Sequence, residues 1–161
     1  MIGLRHTGKN FLLRFIIVIA GVIVPVVAKA QPITPEIRLD AIFASINAIH
    51  LGAGATVAAG NYVSAGIVAG AGVSTDGRRS GRLDVIARFQ LDPFRESRWA
   101  PYAGGGLTTR FDQRENAHTY LMIMLGIDGP VARGAAMAIE GALGGGGRVG
   151  IILRRARAAR R

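Results

Sequence analysis

From residue 48 onward the chain is built of short segments in which every second residue is apolar, and glycine, hydroxyl or charged residues fill the positions between. A period of two is the signature of β-strands whose two faces meet different surroundings. In the clearest segment Leu83, Val85, Ala87, Phe89 and Leu91 oppose Arg82, Asp84, Arg88 and Gln90, with Ile86 alone on the wrong side. Ile49, Leu51, Ala53, Ala55 and Val57 oppose His50, Gly52, Gly54, Thr56 and Ala58 in the same way. Val63, Ala65, Ile67, Ala69, Ala71 and Val73 form a third apolar row, with Val68 intruding on its polar side. Leu121, Ile123, Leu125 and Ile127 oppose Tyr120, Met122, Met124, Gly126 and Asp128, and Val149, Ile151 and Leu153 oppose Arg148, Gly150 and Arg154, with Ile152 as intruder.

Turn chemistry separates these rows and predicts strands over 48–58, 62–74, 81–92, 101–111, 118–128, 135–143 and 148–155. Gly129-Pro130 reads as the turn after the sixth, and Gly144-Gly145-Gly146-Gly147 as a hairpin turn; no Lys-Ser/Thr follows the glycines, as a phosphate loop requires. The segment from Glu36 to Ser45 has two readings. As a strand it makes eight and allows closure; as the start of a helix it leaves seven and an open edge.

Before the strands lies an export signal. Arg5, Lys9 and Arg14 precede an apolar run from Phe15 to Val27, and Pro25 and Ala28-Lys29-Ala30 follow the pattern of a peptidase site, so cleavage is expected before Gln31. The domains expected are thus a signal peptide at 1–30, a barrel at 31–153 and a basic tail at 154–161. The tail carries Arg154, Arg155, Arg157, Arg160 and Arg161, five of the cations behind the net charge of +10. Four more (Arg5, Lys9, Arg14 and Lys29) belong to the leader, so the body is close to neutral. It offers no basic patch interleaved with aromatics, and nucleic acid is not an expected partner. Without cysteine, neither disulfides nor thiolate metal sites hold the fold.

Two barrels satisfy the alternation. One turns its apolar face inward and its polar face to water; the other turns its apolar face to lipid and keeps polar groups inside. Glycines at 52, 54, 66, 70, 72, 104 and 106 share the polar face. On a solvent-facing strand they would weaken pairing for no gain, whereas in a narrow lumen they make room for large neighbours such as Arg82, Arg88 and Arg110. The segments also have the roughly 9 to 11 residues that a tilted membrane strand needs. The leader, the eight-segment meander and the run Trp99-Ala100-Pro101-Tyr102-Ala103-Gly104-Gly105-Gly106 resemble the small bacterial outer-membrane barrels of the OmpA or OmpX transmembrane type. That resemblance covers the mature chain, and the expected fold is a single antiparallel up-and-down barrel of about eight strands. The chain departs from the class in its ending, which is basic rather than aromatic, in its short connections, and in a sparse aromatic girdle (Phe43, Phe89, Trp99, Tyr102, Phe111 and Tyr120).

On this reading Ile49, Leu51, Val57, Val63, Ile67, Leu83, Val85, Phe89, Leu121, Ile123, Leu125, Val149 and Ile151 face lipid. Arg38, Asp40, Arg82, Asp84, Arg88, Arg110, Asp128, Glu140 and Arg148 line the lumen as an ionic network, with Asp84 and Glu140 as arginine partners. His50 and His118, with serines such as Ser64 and Ser74, do not assemble a nucleophilic site from sequence, and two separated histidines give no metal spacing. The expectation is a non-enzymatic barrel with no cofactor, in a bacterial outer membrane, with lipid as partner and an envelope protein as a second partner of the arginine tail. Two alternatives compete. One is a soluble periplasmic barrel binding an apolar ligand within Ile49, Leu51, Val63, Ile67, Val85 and Ile123; the other is a subunit of a larger complex anchored in the inner membrane by the leader.

Overall fold

The computed structural model describes residues 32–112 and 117–155, so the expected signal peptide and the arginines beyond Arg155 lie outside the described residues. Within them the chain forms β1 (Thr34–Phe43), β2 (Ala48–Ala59), β3 (Val63–Ser74), β4 (Arg79–Gln90), β5 (Ala100–Asp112), β6 (His118–Ala132), β7 (Ala135–Leu143) and β8 (Gly147–Arg155). Each strand pairs antiparallel with its neighbour in sequence, and β1 closes on β8 from Glu36↔Arg154 to Phe43↔Gly147. The segment with two readings is thus a strand, and it completes the barrel. Closure supplies a ladder partner on both sides of every strand and leaves no edge. A 12-residue strand tilted by the ~40° that a small barrel requires spans about 30 Å along the axis.

The sixth strand differs from the sequence reading. It continues past Gly129-Pro130 to Ala132, because those two residues form a bulge opposite Met137: Asp128 pairs with Ala138 and Val131 with Ala136. Proline has no N–H to give a ladder, and a bulge is one of the few strand positions that tolerates it. The turn comes instead at Arg133-Gly134, with φ of 50° and 78°, the left-handed pair of a two-residue hairpin that glycine adopts without strain.

The alternation resolves in one direction. Glu36, Arg38, Asp40, Arg82, Asp84, Arg88, Glu140 and Arg148 are buried inside, whereas Leu121, Leu51 and Leu125 on the outer face are 76, 69 and 69% exposed. The interior is filled, as eight strands leave room only for side chains. Register makes that filling possible, because large inward residues pair with glycines across the ladder: Arg38↔Gly52, Gly70↔Arg82, Arg88↔Gly104 and Tyr102↔Gly126. A methyl at Gly126 would run into the Tyr102 ring. The three intruders have a role here as well. Val68 and Ile86 join Met122, Met124 and Ala142 in one buried apolar layer, and Ile152 packs with Tyr102 and Ala138 in a second.

Candidate functional site: the ionic lumen

Five arginines and five carboxylates are buried among the described residues: Arg38, Arg82, Arg88, Arg148 and Arg154 with Glu36, Asp40, Asp84, Asp128 and Glu140. Equal numbers matter because an unpaired charge in such a place costs several kcal/mol. The strands set the order of charges. On β1, Glu36, Arg38 and Asp40 alternate with outward residues, which puts three charges of alternating sign in one inward column. Across the lumen β4 presents Arg82, Asp84 and Arg88, and β7 presents Glu140 between them.

Glu140 is the hub. It accepts from Arg38 Nη2 at 2.7 Å, Tyr102 OH at 3.0 Å, Arg88 Nε at 3.1 Å and Arg148 Nη2 at 3.4 Å. Each of those arginines has a second carboxylate. Arg38 donates from Nε to Asp40 at 2.9 Å, and Arg148 from Nη1 to Asp84 at 2.7 Å. Arg88 grips both oxygens of Glu36 at 2.8 and 3.0 Å, the bidentate geometry that suits guanidinium. Arg82 completes the ring by joining Asp40 and lying 3.3 Å from Asp84, whose other oxygen accepts from Thr108 at 2.6 Å.

At the end where β1 begins and β8 finishes, Asp128 lies 3.4 Å from both Arg154 and Arg95. Arg95 comes from the loop between β4 and β5, where Asp92 accepts the backbone N–H of Ser97 at 2.9 Å and of Glu96 at 3.0 Å. Those two bonds hold the Asp92 carboxyl below its usual value of 3.8. At the opposite end Arg110 donates to the carbonyls of Gly145 and Gly144 at 2.8 and 3.4 Å and lies over the Tyr120 ring.

Arg38, Asp40, Arg82, Asp84, Arg88, Glu140 and Arg148 therefore meet in one cluster, and Asp128 belongs to a second at the terminal mouth. Arg110 stands apart, half-buried on backbone carbonyls. One member was missed: Glu36 shares the parity of Arg38 and Asp40, so the alternation alone could have placed it. Arg154, expected on the polar face of the last strand and also counted with the tail, shows only 9% exposure because β8 carries it into the barrel. Tyr102 and Tyr120 also need moving. Tyr102 is buried with its hydroxyl on Glu140, and Tyr120 pairs with the buried Thr108 at the inner rim, so neither belongs to an outer girdle.

His50 bonds through Nε2 to Ser80 Oγ at 2.7 Å, and Ser80 was not among the serines singled out. His118 sits at the start of β6 with its ring 6.3 Å from Tyr120. On the outer face Ile49, Leu51, Ile67, Leu83, Phe89, Leu121, Ile123, Leu125, Val149 and Ile151 are exposed, Val85 is at 36%, and Val57 and Val63 are half-buried. Those that would have lined an apolar ligand pocket are therefore on the outside of the barrel. The reading as a barrel with an internal apolar site fails for that reason.

Solved structures share this architecture. The N-terminal β-barrel domain of Pseudomonas aeruginosa OprF matches with a TM-score of 0.59 and 14% identity over 76% of this chain and 95% of that one. The chain has the fold of a small outer-membrane β-barrel. Neisserial surface protein A, NspA, matches with a TM-score of 0.60 and 10% identity over 76% of this chain and 94% of its own. The de novo designed protein TMB2.3 aligns over 81% of this chain and 99% of its own, with 17% identity and a TM-score of 0.51. In sequence, no family model matches the chain and no curated protein does. At such identities the likeness is one of fold.

Proposed function

We propose that the protein is a non-enzymatic barrel of a bacterial outer membrane, with a structural or interaction role and with lipid as its surrounding partner. One observation carries this reading: ten charged side chains are buried while leucines, isoleucines and phenylalanines cover the outer wall. A continuous apolar surface of that extent is stable in hydrocarbon and unfavourable in water. Aromatics near the strand ends fit the same surroundings. Tyr62 stacks on Phe89 at 5.9 Å and meets Phe94 edge-on at 6.3 Å at the terminal end, and Phe43 and Phe111 lie exposed at the other.

The filled lumen favours a structural wall over a solute pore. Apolar layers and the Glu140 cluster occupy the axis, and opening it would separate buried charges that pair across the lumen. Fractionation tests the assignment. The full chain is expected in the outer-membrane fraction and to migrate on gels in a heat-modifiable form after detergent extraction; a water-soluble monomer would overturn it. Leu125→Arg, in the middle of β6, should lower the stability of the lipid-inserted barrel by about 2–4 kcal/mol, against about 0–1 kcal/mol for Phe111→Arg near a strand end. Equal effects at the two depths would contradict a lipid-facing wall.

A further inference from the structure

At the end of the barrel opposite the termini, a cavity of about 10 Å³ lies between Arg82, Arg110, Arg148, Thr108, Ile42 and Ala142. That volume suits a single water-sized group. Its lining is unusual for this lumen: three guanidiniums contribute, and none of the described residues lining it is a carboxylate. Asp40 and Asp84 sit behind Arg82 and Arg148 and take the donors that point away. The remaining donors are left over. Arg82 Nη1 is buried with no acceptor among the described residues, and Arg82 Nε, 3.3 Å from Asp84, and Arg148 Nε, 4.0 Å from Asp40, are ion-paired there without making a hydrogen bond, although Arg82 and Arg148 are only 3 and 5% exposed. Buried guanidinium N–H groups without an acceptor are costly, and a small anion would satisfy several at once. Thr108 adds no donor to the cavity, since its hydroxyl hydrogen goes to Asp84.

We propose that this cavity is a binding site for one halide-sized anion, held by Arg82, Arg110 and Arg148. The size excludes an oxyanion as large as phosphate, and the three cations disfavour a metal ion or an amine. The site lies inside the barrel, so it stands whether lipid or water surrounds the wall.

Chlorine-35 NMR of the full-length barrel refolded in a non-ionic detergent tests it. Saturable line broadening by chloride that bromide displaces is expected, together with a bromide anomalous peak between the three guanidiniums in crystals grown in bromide. Arg110→Gln should weaken the saturable binding at least tenfold, and Ala142→Val, which fills the cavity while leaving every charge in place, should abolish it. Heat-modifiable migration of both variants verifies that they have folded. Absence of saturable broadening in the parent protein, a water at the site in the bromide crystals, or unchanged binding in folded Ala142→Val would each overturn the assignment.

Discussion

Glu140→Gln isolates the contribution of the central charge. The substitution keeps size and shape, so the placement of the side chain beside Tyr102 is disturbed little. What changes is charge and one hydrogen-bonding valence. Three arginines and the Tyr102 hydroxyl converge on the carboxylate, and an amide offers them a single neutral oxygen while its NH2 meets donors that need acceptors. Removing one partner of a buried ion pair costs about 3–5 kcal/mol when the other is orphaned. Here none is, since Arg38 keeps Asp40, Arg88 keeps Glu36 and Arg148 keeps Asp84. The expected loss is therefore about 3 kcal/mol, at the lower end of that range. Asp128→Asn supplies the comparison. Its two arginines lie at 3.4 Å, Arg95 is partly exposed and Arg154 keeps the Tyr102 hydroxyl at 3.1 Å, so the loss there should be smaller, about 1–2 kcal/mol. Trp99, the one tryptophan of the chain, reports unfolding of the vesicle-inserted barrel in urea. A double-mutant cycle of Glu140→Gln with Arg88→Gln should give a coupling within the 0.5–3 kcal/mol expected of residues that share a network. If Glu140→Gln costs no more than Asp128→Asn, the hub carries no special energy and the argument from convergence fails.

Gly126→Ala should destabilise the barrel by about 1–3 kcal/mol, because its methyl would enter the space of the Tyr102 ring; relief of that cost by Tyr102→Leu in the same urea assay checks the cause. Asp92 makes the β4–β5 loop sensitive to acid. Its carboxyl is held below 3.8 by the Ser97 and Glu96 amides, so the ordering it supplies is complete above that value and is lost as the pH falls through the lowered one. The Glu96 and Ser97 amide shifts, followed by NMR down to about pH 2, should move together with the Asp92 titration, and Asp92→Asn should remove that step.

Much of the architecture was legible in the chain, because a strand of alternating faces fixes parity locally and turn residues mark where one strand gives way to the next. The nine-residue strand from Ala135 to Leu143 matches the sequence reading at both ends, and the shared face of Arg82, Asp84 and Arg88 follows from their spacing alone. Pairing settled two local readings. Gly129-Pro130 has the composition of a turn, but pairing on either side converts it into a bulge. Arg154 belongs by parity to the polar face of the last strand and by composition to the tail, and pairing with Glu36 and Ala136 places it within the barrel.

Alternation could say which residues share a face and not which face is inside, since a lipid-facing barrel and a soluble one have the same period. The glycines among the charges pointed inward, and the closed barrel has those residues inside. Once β1 pairs with β8, the lumen is narrow, and glycines opposite Arg38, Arg82 and Arg88 give those side chains room. Partner choice within the lumen is likewise tertiary. Glu140 meets Arg38 and Arg88 from 102 and 52 residues away because closure brings β1, β4 and β7 around one axis. The apolar intruders Val68, Ile86 and Ile152 broke the pattern along their own strands, and their reason lies across the barrel, where they meet Met122, Met124 and Tyr102.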